Sequence, residues 1–269
     1  MDEIKTITEA EFNDIVARTK FGREKLVKDY YLTLILYLIR NVECIYFKGG
    51  TALNKIFLNH ARLSEDLDFS LTRNQKDVKK DILEILSSLK FVKDITDGKD
   101  VEGFLRMIIK CKSQLGESEI FIDLNQRAKL SLPSETHKIN HFYASFIPEF
   151  SIKTVAKEEI IAEKIAATIG RNKPRDHYDV YMILKKGIPI NMDLAKKKCQ
   201  ESGDEFSIIK MFNKAQTLKN RWDKDMLSLI SESISFQEVI KFLSNHFKLK
   251  EEKAKLKVKN GLINKIPKE

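Results

Sequence analysis

The stretch from Tyr46 to Leu71, YFKGGTALNKIFLNHARLSEDLDFSL, leaves this chain few folds to choose from. Ile45, Tyr46 and Phe47 are β-branched or aromatic and stop abruptly at Gly49-Gly50, as a strand does at a turn. Thr51 onward has helical spacing, with Leu53, Ile56 and Phe57 on one face. Gly49, Gly50 and Thr51 therefore fall where a turn becomes a helix start, whose unpaired N–H groups and positive end suit a phosphate. Glycine lets a phosphate approach the backbone, and Thr51 adds a hydroxyl. In the strand that follows, Leu67, Phe69 and Leu71 alternate with Asp66, Asp68 and Ser70, so both carboxylates share one side. Aspartate is depleted in strands. Two on one face can chelate a hard cation such as Mg²⁺, which also takes phosphate oxygens. The plain alternative is a solvated strand face beside an ordinary turn. The Gly-Gly-Thr turn upstream favours a nucleotide site.

Gly49-Gly50-Thr51 followed by Asp66-Leu67-Asp68 resembles the signature of DNA polymerase β-type nucleotidyltransferases. The longer form GGTALNKIFL…ARLSEDLDFSL is similar to one branch of them, the AbiEii/AbiGii toxin family of toxin–antitoxin pairs. A second block, KEEIIAEKIAA…RDHYDVYMIL, supports the resemblance. It implies an α+β fold: a polymerase β-type nucleotidyltransferase domain, a mixed sheet with flanking helices, followed by an all-helical C-terminal domain. It also implies an active site in the cleft between the two, with two Mg²⁺ ions and an NTP as substrate.

The resemblance distributes roles as well. Asp66 and Asp68 are expected to hold metal with a third carboxylate from a later strand. In the segment Glu119-Ile-Phe-Ile-Asp-Leu, Asp123 is the best placed and Glu119 the reserve. Gly49, Gly50 and Thr51 are expected to cradle the phosphates. Lys164 lies beside the apolar stripe of its helix, and by physics alone it either snorkels or meets an anion. The resemblance gives it a nucleotide phosphate. Asp176, after Pro174, reads as a helix N-cap, and Asp179, one turn on, as the functional acid. Arg175 pairs locally or contacts phosphate.

The rest of the chain sets bounds. Its 269 residues give room for one large or two modest domains, and the boundary is expected between Pro148 and Val155, giving domains 1–153 and 154–269. The N-terminus has acids where a signal peptide needs bases, and no apolar run approaches the ~20 residues of a membrane span. A cytoplasmic protein is expected, with Cys44, Cys111 and Cys199 as reduced thiols. His137 and His141 stand four apart in a loop region, a weak zinc signal. The net charge is +9, and from Lys241 to Glu269 nine lysines face three glutamates. That balance suits a polyanion, or is a solvated tail.

Along the chain, Thr8 and Glu11 form a capping box before a first helix, and a second runs from Arg23 to Arg40. Strands are expected at Phe91–Ile95, Phe104–Cys111, Glu119–Leu124 and Phe142–Phe146. Helices are expected at Lys157–Ile169, Tyr178–Lys185, Leu194–Gln200, Ser207–Asn220 and Phe236–Leu249, with frayed residues from Glu251 on.

The expectation is a toxin-like, Mg-dependent transfer of NMP from an NTP to an acceptor hydroxyl, on RNA at the tRNA 3′ end, with a cognate antitoxin as a further partner. The alternatives are a small-molecule, antibiotic-type nucleotidyltransferase and a non-catalytic RNA- or protein-binding module with a decayed site. An acidic drug pocket fits poorly with a basic chain, and intact Asp66, Asp68 and Lys164 argue against decay.

Overall fold

The computed structural model describes residues 4–263, with side chains described through residue 258. The chain divides into two compact units. One runs up to Ile160 and includes Leu227–Glu232. The other comprises Ile161–Met226 and the residues from Ser233 on.

The first unit is built on a seven-stranded mixed sheet. Its strands are β1 (Ile45–Lys48), β2 (Asp66–Leu71), β3 (Val92–Val101), β4 (Phe104–Ser113), β5 (Gly116–Asn125), β6 (Glu135–Lys138) and β7 (Ser151–Thr154), in the order β3-β4-β5-β2-β1-β7-β6. β2 runs antiparallel to β1 and parallel to β5. One face is apolar throughout: Ile45, Phe47, Leu67, Phe69, Leu105, Met107, Ile120, Ile122 and Leu124 are all fully or almost fully buried. Helix α2 (Arg23–Ile39) contacts β2, β5 and helix α4 (Gln75–Leu86). Helix α1 (Glu9–Thr19) opens with the expected box, Thr8 and Glu11 capping each other. The sheet's other face carries the polar set of β2.

The link from β1 to β2 is not a plain helix. A single α-turn, α3 (Gly49–Ala52), passes into a π-turn over Leu53–Phe57, closed by the Leu58 N–H on the Leu53 carbonyl at 3.0 Å. Such a turn holds one residue more than an α-turn. Here it delivers Lys55 to a buried partner: Lys55 Nζ lies 2.7 Å from Asp29 Oδ1 on α2 and donates to Thr33 Oγ1 at 2.9 Å. Tyr143 donates its hydroxyl to Asp29 Oδ2 at 3.2 Å, so the burial of the pair is matched by hydrogen bonds.

Several local expectations change. Phe142–Phe146 is not a strand. Tyr143 is fully buried with its hydroxyl on the Leu26 carbonyl, and the Phe146 and Ile147 N–H groups close a turn on the Tyr143 carbonyl. The aromatic run there signals core packing. β3 reaches Val101, well past Ile95, because it pairs along most of β4 although most of its side chains are exposed. β6 and β7 were not foreseen. Both are short, and only alternate residues of β7 are buried.

The second unit is helical: α5 (Lys157–Ile169) enters it, followed by α6 (Pro174–Lys185), α7 (Met192–Glu201), α8 (Ile208–Met211), α9 (Ala215–Met226), α10 (Phe236–His246) and α11 (Leu249–Ile263). The expected helix Ser207–Asn220 is two helices, and Phe236–Leu249 ends at His246. α11 is helical where fraying was expected. Lys265 and Lys268 of the lysine-rich end lie outside the described residues. Trp222 and Phe212 are buried in this unit. Trp222 Nε1 donates to the Ile234 carbonyl at 2.9 Å, and its ring meets Phe236 edge-on at 5.6 Å.

Candidate active site

The site in the first unit starts at Gly49. Its φ of +76° lies in the left-handed region, and a Cβ there would stand 2.7 Å from Asp68 Cγ. No side chain fits: the Asp68 carboxylate rests against the backbone of the turn. Gly50 is confined from the other side, where a Cβ would stand 2.8 Å from Arg62 Nη2. Arg62 is 1% exposed and donates to the Leu63 carbonyl at 2.8 Å. A buried guanidinium thus lies beneath the turn. The Thr51 hydroxyl is not turned outward. Thr51 is 1% exposed and donates to the Asp66 carbonyl, tying the turn to the start of β2. That leaves backbone N–H groups as the turn's donors toward a phosphate.

The register sets the acids. Asp68 pairs with Asp123 across β2–β5, and Asp66 with Phe121. Lys48 stands opposite Asp68 from β1, and Arg106 opposite Asp123 from β4. One row across the sheet therefore reads Lys48, Asp68, Asp123, Arg106, and paired residues point to the same face. Glu119 pairs with Lys110 at an exposed position farther down β5. Asp123 is held by Arg106 in a two-point pair, Nε to Oδ1 and Nη2 to Oδ2, both 2.7 Å. Asp66 and Asp68 also act on Arg106, whose basicity is raised first by the hydrogen bond to Asp123. Lys28 lies over the Phe121 ring at 5.2 Å, with Arg106 at 5.2 Å from the same ring. Burial pushes the Lys28 ammonium down, while Glu65 and Asp66 pull it back up.

Asp66, Asp68 and Asp123 supply the hard oxygen donors a divalent cation takes. Among the described residues, however, no three His, Cys, Asp or Glu side chains form a metal-holding group. Asp66 and Asp68 offer carboxylate oxygens from one strand, while both oxygens of Asp123 are engaged by Arg106.

The residues of the second unit meet differently. Lys164 Nζ lies 3.1 Å from Asp176 Oδ1 and 3.0 Å from Asp179 Oδ2. Both aspartate side chains are 0% exposed and Lys164 5%. Arg171 adds a two-point pair to Asp176 at 2.8 and 2.7 Å. Asp176 is not an N-cap. Lys173 occupies that position without a side-chain cap, Pro174 opens the helix, and Asp176 turns inward to Lys164. Burial by itself would raise the Asp176 carboxyl, but Lys164 and Arg171 together hold it well below the usual carboxylate range. His177 is buried, with Nε2 at 2.8 Å from the Met211 carbonyl. Arg175 is half-buried at the same helix start.

Sequence reasoning passed over Lys28, Lys48, Arg62, Arg106 and Arg171. Arg106 had a signal, a charge at an outward position of the otherwise apolar run Phe104–Ile109. His137 makes no zinc pair with His141 and contacts Glu135 instead, with Nε2 at 2.6 Å.

A family model for a nucleotidyl transferase, the AbiEii toxin of a type IV toxin–antitoxin system, matches residues 39–242. The chain is a member of the AbiEii family. It is a nucleotidyltransferase, with an NTP substrate and an antitoxin partner implied by the family. No curated protein matches the chain. Among solved structures, JHP933 from Helicobacter pylori is similar at a TM-score of 0.61 and 18% identity, over 90% of this chain and 99% of that one. A candidate nucleotidyltransferase from H. pylori also has a TM-score of 0.61 at 18% identity, over 85% of this chain and 95% of that one. At such identities the likeness concerns the fold, a mixed sheet with flanking helices. Among the described residues, no helix is long and apolar enough to cross a membrane.

Proposed function

We propose that this AbiEii-family chain transfers a nucleoside monophosphate from an NTP to a hydroxyl of RNA, at the 3′ end of tRNA, in a Mg²⁺-dependent reaction. The carrying observation is the seat of Asp68 against Gly49. It places a carboxylate on the backbone turn that would receive phosphates. Asp66 and Asp68 would hold the cation, joined by Asp123. Bound there, Mg²⁺ would offset charge on the reacting phosphate oxygens. The N–H groups of the turn and the buried Arg62 draw the triphosphate tail. The acceptor oxygen bonds to the α-phosphorus, pyrophosphate leaves, and Asp123 takes the hydroxyl proton once Arg106 lets it go.

Lys164 and Asp179 enter this reading as support. For Lys164 to neutralise pyrophosphate, its ammonium would have to leave two buried carboxylates, which costs several kcal/mol. With Asp176 they fix the start of α6, the helix that carries Arg175. RNA as acceptor is supported by the net charge of +9 and by the exposed Lys248, Lys250, Lys253, Lys255 and Lys257 at and along α11. The test combines purified protein, Mg²⁺, each labelled NTP in turn, and total RNA. Label entering tRNA in the wild type and not in Asp66→Asn or Asp68→Asn is expected. Label that never enters RNA overturns the acceptor.

A further inference from the structure

Arg106 does more on this sheet than balance a charge. Its guanidinium turns its Nε–Nη2 edge to Asp123, with both bonds at 2.7 Å, yet its side chain remains 37% exposed while Asp123 is 13% exposed. The stem is guided into place. It passes Gly98 of β3, where a Cβ would stand 3.2 Å from Arg106 Cγ, and the guanidinium is 5.2 Å from the Phe121 ring centre. Its neighbour in the row after Asp123 is Asp68, one strand spacing farther on. The arginine therefore stands at the edge of the acid group, accessible to solvent and bound to one of its members.

We propose that Arg106 is a positioning residue that occupies Asp123 until a divalent cation claims the carboxylate, and then passes its guanidinium to the phosphates of the incoming nucleotide. The inference rests on the transfer reading above. Its chemistry is an exchange of like for like. A guanidinium fork matches a phosphate as well as a carboxylate, so moving from one to the other leaves its donors satisfied. Guanidinium and cation compete for the same two oxygens of Asp123. Cation binding frees the arginine for the nucleotide, and nucleotide binding frees Asp123 for the cation. Each ligand therefore strengthens the other by the same factor.

Competition gives this role a signature that mere structural support lacks: removing the arginine moves two affinities in opposite directions. The experiment uses the full chain. Mn²⁺ alone is titrated by calorimetry, and each of the four NTPs is then titrated in Ca²⁺, to limit turnover. Arg106→Gln is expected to tighten Mn²⁺ binding and weaken NTP binding, each by roughly tenfold, since a charged hydrogen-bonded pair at a partly exposed site is worth about that much. Asp123→Asn is expected to weaken Mn²⁺. Arg106→Lys keeps the charge but loses the fork, and serves if Arg106→Gln fails to fold. Its shifts should have the same signs and smaller size. Two affinities that move together in Arg106→Gln, or that do not move, overturn the proposal while leaving the transfer reading intact. A wild type that binds neither Mn²⁺ nor any NTP overturns both.

Discussion

The protein uses the same ingredients twice, aspartates and basic side chains. On the sheet face, Asp123 stands beside Asp68 and keeps some exposure, and its arginine is more exposed still. In the second unit, Asp176 and Asp179 are sealed, with Lys164 between them and Arg171 outside. Exposure separates the two. A carboxylate that water or a cation can reach can exchange partners. One buried with its cation can only break the pair at a cost. The first arrangement suits chemistry and the second suits architecture, although the family resemblance assigns acids of both blocks to the active site.

The largest test of that contrast is chemical. Asp68→Asn is expected to lower transfer by about a thousandfold or more, the scale of losing a main electrostatic contact to the reacting group, with thermal unfolding unchanged. A large drop in melting temperature would move Asp68 into the architectural class. The reverse outcome is expected for Asp176→Ala, where a guanidinium and an ammonium lose a buried partner. Denaturant unfolding should show a loss of about 3–5 kcal/mol. Full stability with lost activity would instead make Asp176 chemical.

Acid separates the regions more gently. Burial first, then Lys55, pushes His60 down to about 4, against a pull from Asp29, and His141 falls to about 4 for the same reasons. Both are neutral in the folded state at pH 6. Unfolding lets them take protons at about 6.5, so their contribution is intact above that pH and is lost as pH falls toward 4. Asp176 is shifted in the same direction, downward, and its contribution is likewise lost toward acid. Its depressed carboxyl contributes above the ordinary carboxylate value of 3.8 and fades only as pH falls below it. Stability followed against pH should therefore decline in two stages. His60→Gln should flatten the first, and Asp176→Asn the second. A single stage unaffected by His60→Gln would refute the assignment.

The smallest expected effect lies at the chain's end. If lysines from Lys253 onward touch RNA phosphates, deletion from Glu251 should flatten the slope of log affinity against log salt by roughly two to three units and leave NTP binding unchanged. Identical slopes would remove α11 from the RNA surface.

What could be read in advance follows the range of the interactions. The strand, turn and acid strand from Ile45 to Leu71 are set by period and by glycine, both local, and they came through apart from the π-turn. Asp123 was singled out because the resemblance asks for a third carboxylate and strand alternation puts it on the outward face, and the register sets it beside Asp68. Its tie to Arg106 joins neighbouring strands 17 residues apart, and its one local trace was a charge in an otherwise apolar run. Asp176 misled for the same reason: beside Pro174 it looked like a cap, while the side chain that claims it, Lys164, is one helix earlier in the chain. The aromatic run at Phe142–Phe146 carried a strand's composition but serves a turn, because Tyr143 reaches Asp29 on a distant helix.

The π-turn at Leu53–Phe57 acts as a gear with one extra tooth. Each helical residue advances about 100°, so the added residue rotates everything after it by that angle relative to everything before. Thr51 thereby engages the start of β2 while Lys55 swings onto Asp29, a division that a regular helix would deny to side chains four apart. Removing one residue from this turn would leave composition and charge almost untouched. It would nonetheless throw the glycine turn and the buried ion pair out of mesh, and the acid strand would lose the backstop against which Asp68 is seated.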